Sequence, residues 1–206
     1  MKLLEKKGIQ TRWIMPLTNQ PVFKDLWNEK DYPVADPMLV LIGLWLADGC
    51  YDHHHGLHIS TGNNRDILSF LKKIAKTSRF NLTIRKNGDT TLNSRSFMRR
   101  FMSEFNVKGY SHTKELPPWC FLLSNRQIRL LLRGYFSGDG TVGKNNVACT
   151  SVSYALIMGI KELLNRLGII SSISTKAKRN IVFGSKKYIG NICHTLTIGK
   201  RDSLNR

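Results

Sequence analysis

A pattern of nine residues occurs twice in this chain, first as Leu41-Ile42-Gly43-Leu44-Trp45-Leu46-Ala47-Asp48-Gly49 and again as Leu132-Arg133-Gly134-Tyr135-Phe136-Ser137-Gly138-Asp139-Gly140. Internal repetition constrains a fold more tightly than local propensity does, because related segments form the same unit and then bury each other's apolar faces. The correspondence continues downstream. Ser60-Thr61 is matched by Thr150-Ser151, and the helix-patterned stretch from Ile67 to Ala75 by that from Leu156 to Leu164. Two related halves therefore share one chain.

Each apolar run ending in Asp-Gly reads as a helix stopped by glycine, with short strands after it. In the first half the strands are expected near Cys50 to Asp52 and Gly56 to Thr61. A second helix covers Asn64 to Thr77, with Ile67, Phe70, Leu71 and Ile74 at helical spacing. Two further strands, Asn81 to Lys86 and Thr90 to Asn93, flank Asn87-Gly88-Asp89, a hairpin turn. Ser94 is placed to cap a helix running to Phe105. The order is αββαββα, an α+β fold of two pseudo-symmetric halves. The second half repeats it through Val147 to Thr150, Ala155 to Leu167, Ile169 to Thr175 and Thr195 to Ile198. Its final helix has barely begun at Ser203, so about two turns are expected to be missing by comparison with the first half. The expected organisation is an N-terminal extension (1–35), a first repeat (36–105), a linker (106–126, carrying Gly109, Pro117 and Pro118) and a second, incomplete repeat (127–206).

One Asp-Gly after an apolar run is ordinarily a helix end and a turn. Two copies imply more. Small residues stand four apart on each motif helix, Gly43 and Ala47 on the first, Gly134 and Gly138 on the second, and residues at that spacing share a face along which helices can approach closely. If these faces meet, Asp48 and Asp139 converge at the partly negative carboxyl ends of their helices. Two carboxylates there repel each other unless a cation neutralises them. Oxygen-only ligands favour Mg²⁺ (or Mn²⁺), which keeps several waters and bridges to phosphate oxygens. The metal-binding positions expected are Asp48, Gly49, Asp139 and Gly140, and the chemistry is metal-assisted hydrolysis of a phosphodiester.

Charge points to the same class of partner. The chain has 32 Lys and Arg against 14 Asp and Glu, a formal net charge of +18 that would repel itself unless a polyanion were the usual partner. The longest apolar run, Met38 to Ala47, is about half of what a bilayer-spanning helix requires, and no signal peptide opens the chain, so a soluble intracellular protein without a membrane partner is expected. Cys50, Cys120, Cys149 and Cys193 lie far apart without a CxxC pair and read as reduced thiols.

Both motif copies, with the αββαββα order after them, resemble the LAGLIDADG (dodecapeptide, DOD-type) homing endonucleases over roughly residues 36 to 206. The resemblance implies motif helices at the interface of two halves within a monomer, metal bound by their terminal acids, and an antiparallel sheet from each half forming a saddle on double-stranded DNA. It also implies cleavage of both strands with a short stagger across the minor groove. The matching acids here are Asp48 and Asp139. His112-Thr113-Lys114-Glu115-Leu116-Pro117 resembles the lysine-containing block that inteins of this family carry before their second aspartate, making Lys114 a third catalytic candidate, able to stabilise developing negative charge or polarise the attacking water. By symmetry Lys200 is the nearest partner lysine. Thr11-Arg12-Trp13-Ile14-Met15-Pro16 and Pro33-Val34-Ala35-Asp36-Pro37 resemble sequence preceding the endonuclease insert of inteins, which implies an intein- or intron-borne origin. A chain beginning at Met1 and ending Leu204-Asn205-Arg206 is not expected to splice by itself.

For DNA contact the expected residues are Arg85 and Lys86, with His58 as a further candidate, in the first half, and Lys176, Lys178, Arg179, Lys186 and Lys187 in the second. Strands present polar faces to the major groove, whereas clustered lysines bind phosphate without reading sequence. His53-His54-His55, beside Cys50 and His58, offers zinc-type ligands, but consecutive residues point in different directions and the run reads as exposed or DNA-facing. Trp45, Tyr135 and Phe136 read as core. Two alternatives accompany the endonuclease reading: a non-cleaving DNA- or RNA-binding protein on the same scaffold, such as a maturase or regulator, and an unrelated basic structural protein, which the paired motif disfavours.

Overall fold

The computed structural model describes residues 22–24, 31–52, 56–62, 64–177, 180–183 and 186–199, with the backbone alone for 22–24, 31–33, 180–183 and 186–189. A short antiparallel pair, β1 (Val22–Lys24) and β2 (Asp31–Pro33), precedes the first motif helix, α1 (Asp36–Asp48). Pro37 opens α1, where its missing N–H costs no hydrogen bond and its fixed φ suits the helix. Then follow β3 (Gly49–Asp52), β4 (Gly56–Ser60), α2 (Arg65–Ser78), β5 (Asn81–Ile84), β6 (Asp89–Asn93) and α3 (Arg95–Ser103). The αββαββα order of the first half is observed. Asn64 and Ser94 cap α2 and α3 through their side chains, each contribution about 1 kcal/mol.

The second half runs through α4 (Asn125–Asp139), β7 (Gly140–Val142), β8 (Asn146–Ser151), α5 (Tyr154–Arg166), β9 (Ser172–Lys176), β10 (Asn180–Phe183), β11 (Lys186–Ile189) and β12 (Cys193–Gly199). A reciprocal capping box between Ser124 and Gln127 starts α4. Each half builds one antiparallel four-stranded sheet, in the orders β3-β4-β6-β5 and β7-β8-β12-β9, and the two correspond strand for strand as pseudo-symmetry requires.

Two local expectations are corrected. The strand after α5 begins at Ser172 rather than Ile169, because Gly168 turns the chain with a φ of +78° and the Ile169 amide donates back to the Leu164 carbonyl, completing the helix end first. Between Lys176 and Cys193, where the sequence suggests a lysine-rich surface segment, the chain forms an additional hairpin of β10 and β11 outside the main sheet. The final helix near Ser203 lies outside the described residues.

The core is continuous across both halves. Leu39, Leu41, Ile42, Leu44 and Leu46 of α1 pack with Ile128, Leu131 and Tyr135 of α4, and sheet residues Leu57, Ile59, Leu92 and Leu196 join them. Burial of each such side chain contributes about 1.5–3 kcal/mol. α1 is buried nearly all round, from Leu41 to Trp45, because a partner helix covers one side and its own sheet the other. The connecting segment belongs to this core as well. It folds a 3₁₀ turn (Pro118–Leu122), buries Val107, Leu116, Cys120 and Leu123, and is held by Arg166, whose guanidinium donates to the carbonyls of Phe121 at 2.6 Å and Leu123 at 2.8 Å. Among the described residues no helix is long and apolar enough to cross a membrane.

Candidate active site at the ends of the motif helices

α1 and α4 meet backbone to backbone. A Cβ placed on Gly43 would lie 2.1 Å from the Leu131 carbonyl oxygen, and one on Gly134 would lie 2.1 Å from that of Val40, so at these positions only glycine permits the approach. A turn further on, Gly138 faces Ala47 and Asp48: its Cβ would stand 2.6 Å from the Ala47 Cβ and 3.5 Å from an Asp48 carboxylate oxygen. The four small residues picked out by spacing are thus brought together.

Their consequence is electrostatic. Asp48 and Asp139 end their helices on the same side of the pair, near enough for the Asp48 charge to act on Asp139. Burial, reinforced by the Asp48 charge, pushes the Asp139 carboxyl up to about 7, against the pull of Lys114. Asp48 reaches solvent, yet partial burial raises its carboxyl too, with Lys114 opposing. Tyr135 is fully buried with its hydroxyl beside Asp139 and Cys149, and that hydroxyl meets no acceptor at good hydrogen-bonding geometry. A pair of acids whose charged forms are disfavoured is a site that a divalent cation would relieve. The donors, two carboxylates open to additional oxygen ligands, suit Mg²⁺ or Mn²⁺ rather than a soft metal. Gly49 and Gly140 follow the two acids as the first residues of β3 and β7, pressed against Trp45 and Phe136 of the preceding helical turns.

Lys114 arrives from the connecting segment and is 5% exposed. Its Nζ donates to the carbonyls of Trp45 at 2.9 Å, Leu46 at 3.2 Å, Ala47 at 3.3 Å and Gly49 at 2.8 Å, and stands 4.7 Å above the Trp45 ring. Burial pushes its ammonium down to about 8, opposed by Asp139, Asp48 and Cys50. This lysine, the third catalytic candidate from sequence, thus stands at the end of α1 with its ammonium on backbone carbonyls. Beside it opens a cleft of about 880 Å³, whose wall includes Cys50, Tyr51, Arg95, Arg99 and Tyr110.

The outward sheet faces follow from strand register. Leu57 pairs with Leu92 and Cys149 with Leu196 on the core side, so the alternate positions look away from it. On the first sheet these are Cys50, His58, Thr91 and Thr83 in one row, with Ser60 and Asp89 in the next. The Nδ1 of His58 is 3.1 Å from the Thr91 hydroxyl, and the Asp89 carboxyl is held below its usual range by hydrogen bonds from Ser60 and Asn87. On the second sheet they are Thr150, Thr195 and Ser174, with Ala148, Thr197 and Ser172 beside them. The sequence reading missed most of these short polar side chains by following charge, although the alternation of Thr195 and Thr197 with Leu196 and Ile198 was its signal. Arg85 and Lys86 are exposed at the β5–β6 turn and Lys176 ends β9. Lys186 and Lys187 lie on β11. Lys178, Arg179, Lys200, His53-His54-His55 and the segment Thr11 to Pro16 fall outside the described residues. All four cysteines are free.

A pair of glycine-faced helices, each ending in an acid and leading into an antiparallel sheet, is an arrangement that known proteins share. Residues 126–206 match the family described as the LAGLIDADG-like domain. The chain is 30% identical over 168 residues to a DNA polymerase of Thermococcus hydrothermalis, covering 75% of this chain and 10% of that protein. It is 39% identical over 89 residues to the DNA-directed RNA polymerase subunit Rpo1C of Methanocaldococcus jannaschii, covering 42% and 10%. The chain thus spans about a tenth of the length of these curated relatives. Among solved structures, I-DmoI bound to its target DNA in the presence of Mn superposes with a TM-score of 0.53 at 13% identity, over 81% of this chain and 88% of that one. Full-length WhiA from Thermatoga maritima does so with a TM-score of 0.51 at 15% identity, over 82% and 53%. At such identities the likeness speaks to the fold alone. The domain match covers the second half of the chain, and the shared fold extends over both halves.

Proposed function

We propose that this protein is a metal-dependent, site-specific double-stranded DNA endonuclease of the homing type, borne by an intein or an intron. The observation that carries the reading is the convergence of Asp48 and Asp139 at the shared end of two helices held together by glycine contacts. Asp48 and Asp139 hold the divalent ion, with Gly49 and Gly140 placed beside them. When bound, the ion supplies electrophilic stabilisation of phosphoryl transfer. The polar outward rows on the two sheets, the buried Thr91 excepted, offer donors and acceptors to base edges, while Arg85, Lys86, Lys176, Lys178, Arg179, Lys186 and Lys187 attach the phosphate backbone. The acting unit is a monomer with internal pseudo-two-fold symmetry.

An inserted origin draws support from the relatives themselves. A DNA polymerase and an RNA polymerase subunit have different catalytic tasks, yet each matches this chain over a small fraction of its length, as a mobile segment carried by both would.

The test is incubation of the protein with a library of long duplexes and Mg²⁺, followed by sequencing of the cut ends. Cleavage at one long site, lost in Asp48→Asn and in Asp139→Asn, is the expected result. Cleavage persisting in either variant would remove that acid from the catalytic centre. Sequence-selective binding without any cleavage would favour a non-cutting nucleic-acid binder on the same scaffold.

A further inference from the structure

We infer that Lys114 is a positioning residue: its buried ammonium caps the carboxyl end of α1, while its own backbone is tied to the second half, so that one connecting residue sets the first acid of the site against the second. The consequence for catalysis rests on the endonuclease reading; the cap itself does not.

The geometry argues against direct contact with DNA. An ammonium has three N–H donors, and four carbonyl oxygens already surround this one within 3.3 Å. The Trp45 ring covers it further, and the side chain is almost wholly buried. A phosphate oxygen would have to displace existing charge-assisted bonds. Two of the carbonyls, those of Leu46 and Ala47, belong to the last turn, whose oxygens a helix end leaves without amide partners and which carries its partial negative charge; that of Trp45 also accepts from the Gly49 amide, and that of Gly49 opens the strand beyond. Asp48 is the last residue of this helix, so the cation also offsets the charge that two acids and a helix end place together.

The second attachment comes from Ser153, the N-cap of α5. Its hydroxyl accepts from the Leu156 amide at 3.2 Å and donates to the Lys114 carbonyl at 2.6 Å. Lys114 is therefore fixed through its backbone by the second half and through its side chain by the first. Loosening either attachment frees the turn on which Asp48 stands.

Two variants of the full chain test this, Lys114→Met and Ser153→Asp. The second keeps an acceptor for the Leu156 amide, loses the donor to Lys114, and leaves the lysine chemically intact. Amide hydrogen exchange, measured without DNA or divalent ions, should quicken about tenfold at Asp48, Gly49 and Cys50 in Lys114→Met, as when charged hydrogen bonds closing a helix end are lost. A smaller rise at the same amides is expected in Ser153→Asp, with DNA cleavage reduced through kcat and KM unchanged in both. Unchanged exchange in both variants, or loss of cleavage confined to Lys114→Met with Ser153→Asp at full activity, would overturn the inference in favour of direct action on DNA. If Lys114→Met does not fold, Ser153→Asp decides by the same readouts. A wild-type protein that never cuts DNA removes the endonuclease reading and leaves the exchange result to judge the cap.

Discussion

Replacing Gly43 by alanine sets two effects of opposite sign against each other. In an exposed helix the change would stabilise by about 1 kcal/mol, because glycine has more backbone freedom to lose. Here the new Cβ would lie 2.1 Å from the Leu131 oxygen, 2.7 Å from the Tyr135 nitrogen and 3.0 Å from the Gly134 Cα, all backbone atoms that no rotamer change can move. Ordinary contact begins at 3.4 Å, so α1 and α4 must part by roughly 1 Å. Overpacking of this kind costs about 1–3 kcal/mol, and parting the helices weakens dispersion contacts along their shared length. Set against the gain of about 1 kcal/mol, the expected net effect is a loss of about 1–2 kcal/mol, a fall in Tm on the order of 2–8 °C for a chain of this size. Gly134→Ala should behave alike, its Cβ meeting the Val40 oxygen at 2.1 Å. The double variant should lose less than the two single losses combined, by about 1 kcal/mol or more, because helices already parted accommodate the second methyl. Gly199→Ala, whose Cβ would meet nothing within 4 Å, should change stability by less than about 0.5 kcal/mol. Urea and thermal melts of the four variants beside wild type measure all of this. A Gly43→Ala protein that melts higher than wild type, or strict additivity in the double variant, would refute the close-packed interface.

Asp139 is pushed up to about 7, so the folded state keeps its proton at a pH where the unfolded chain has released it. Its stabilising contribution is full below the ordinary carboxylate range and is lost as pH rises from about 4 to about 7; Lys114, pushed down to about 8, acts in the opposite sense only above that pH. Without divalent ions Tm should therefore fall across that window, Mg²⁺ should restore it at pH 8 but not at pH 5, and Asp139→Asn should flatten the profile; an unflattened profile in that variant would assign the dependence to other groups. Arg166→Met removes both bonds that hold the connecting segment and should cost about 1.5–3 kcal/mol in a urea melt, with no loss meaning that the segment is secured by its apolar contacts alone.

What could be read from sequence was whatever repeats or alternates. Gly43, Ala47, Gly134 and Gly138 announced the helix pair because contact between helices leaves a four-residue spacing in each, and the two Asp-Gly ends placed the acids with it. Ser94 announced a cap because its partner, the Phe97 amide, is three residues away. The partners of Lys114 are carbonyls of Trp45, Leu46, Ala47 and Gly49, far back in the chain, and backbone oxygens carry no residue identity that a pattern could reveal. The β10–β11 hairpin was obscured for another reason. Ile181-Val182-Phe183 and Tyr188-Ile189 flank Gly184-Ser185 in sequence, a fair hairpin signal, but the neighbouring cations drew attention to charge instead. The sheet faces were overlooked similarly, since threonine and serine contribute nothing to a charge count while presenting hydroxyls in register across strands.

Lys114 closes the first helix end from a segment that lies beyond residues 36–105. A dimer made from two copies of residues 36–105 would reproduce the paired acids, but it would set two Ala47 methyls against each other where Gly138 makes room, and it would lack that lysine. Recombination with a foreign partner half would have to bring the connecting thread along and keep a glycine opposite Ala47.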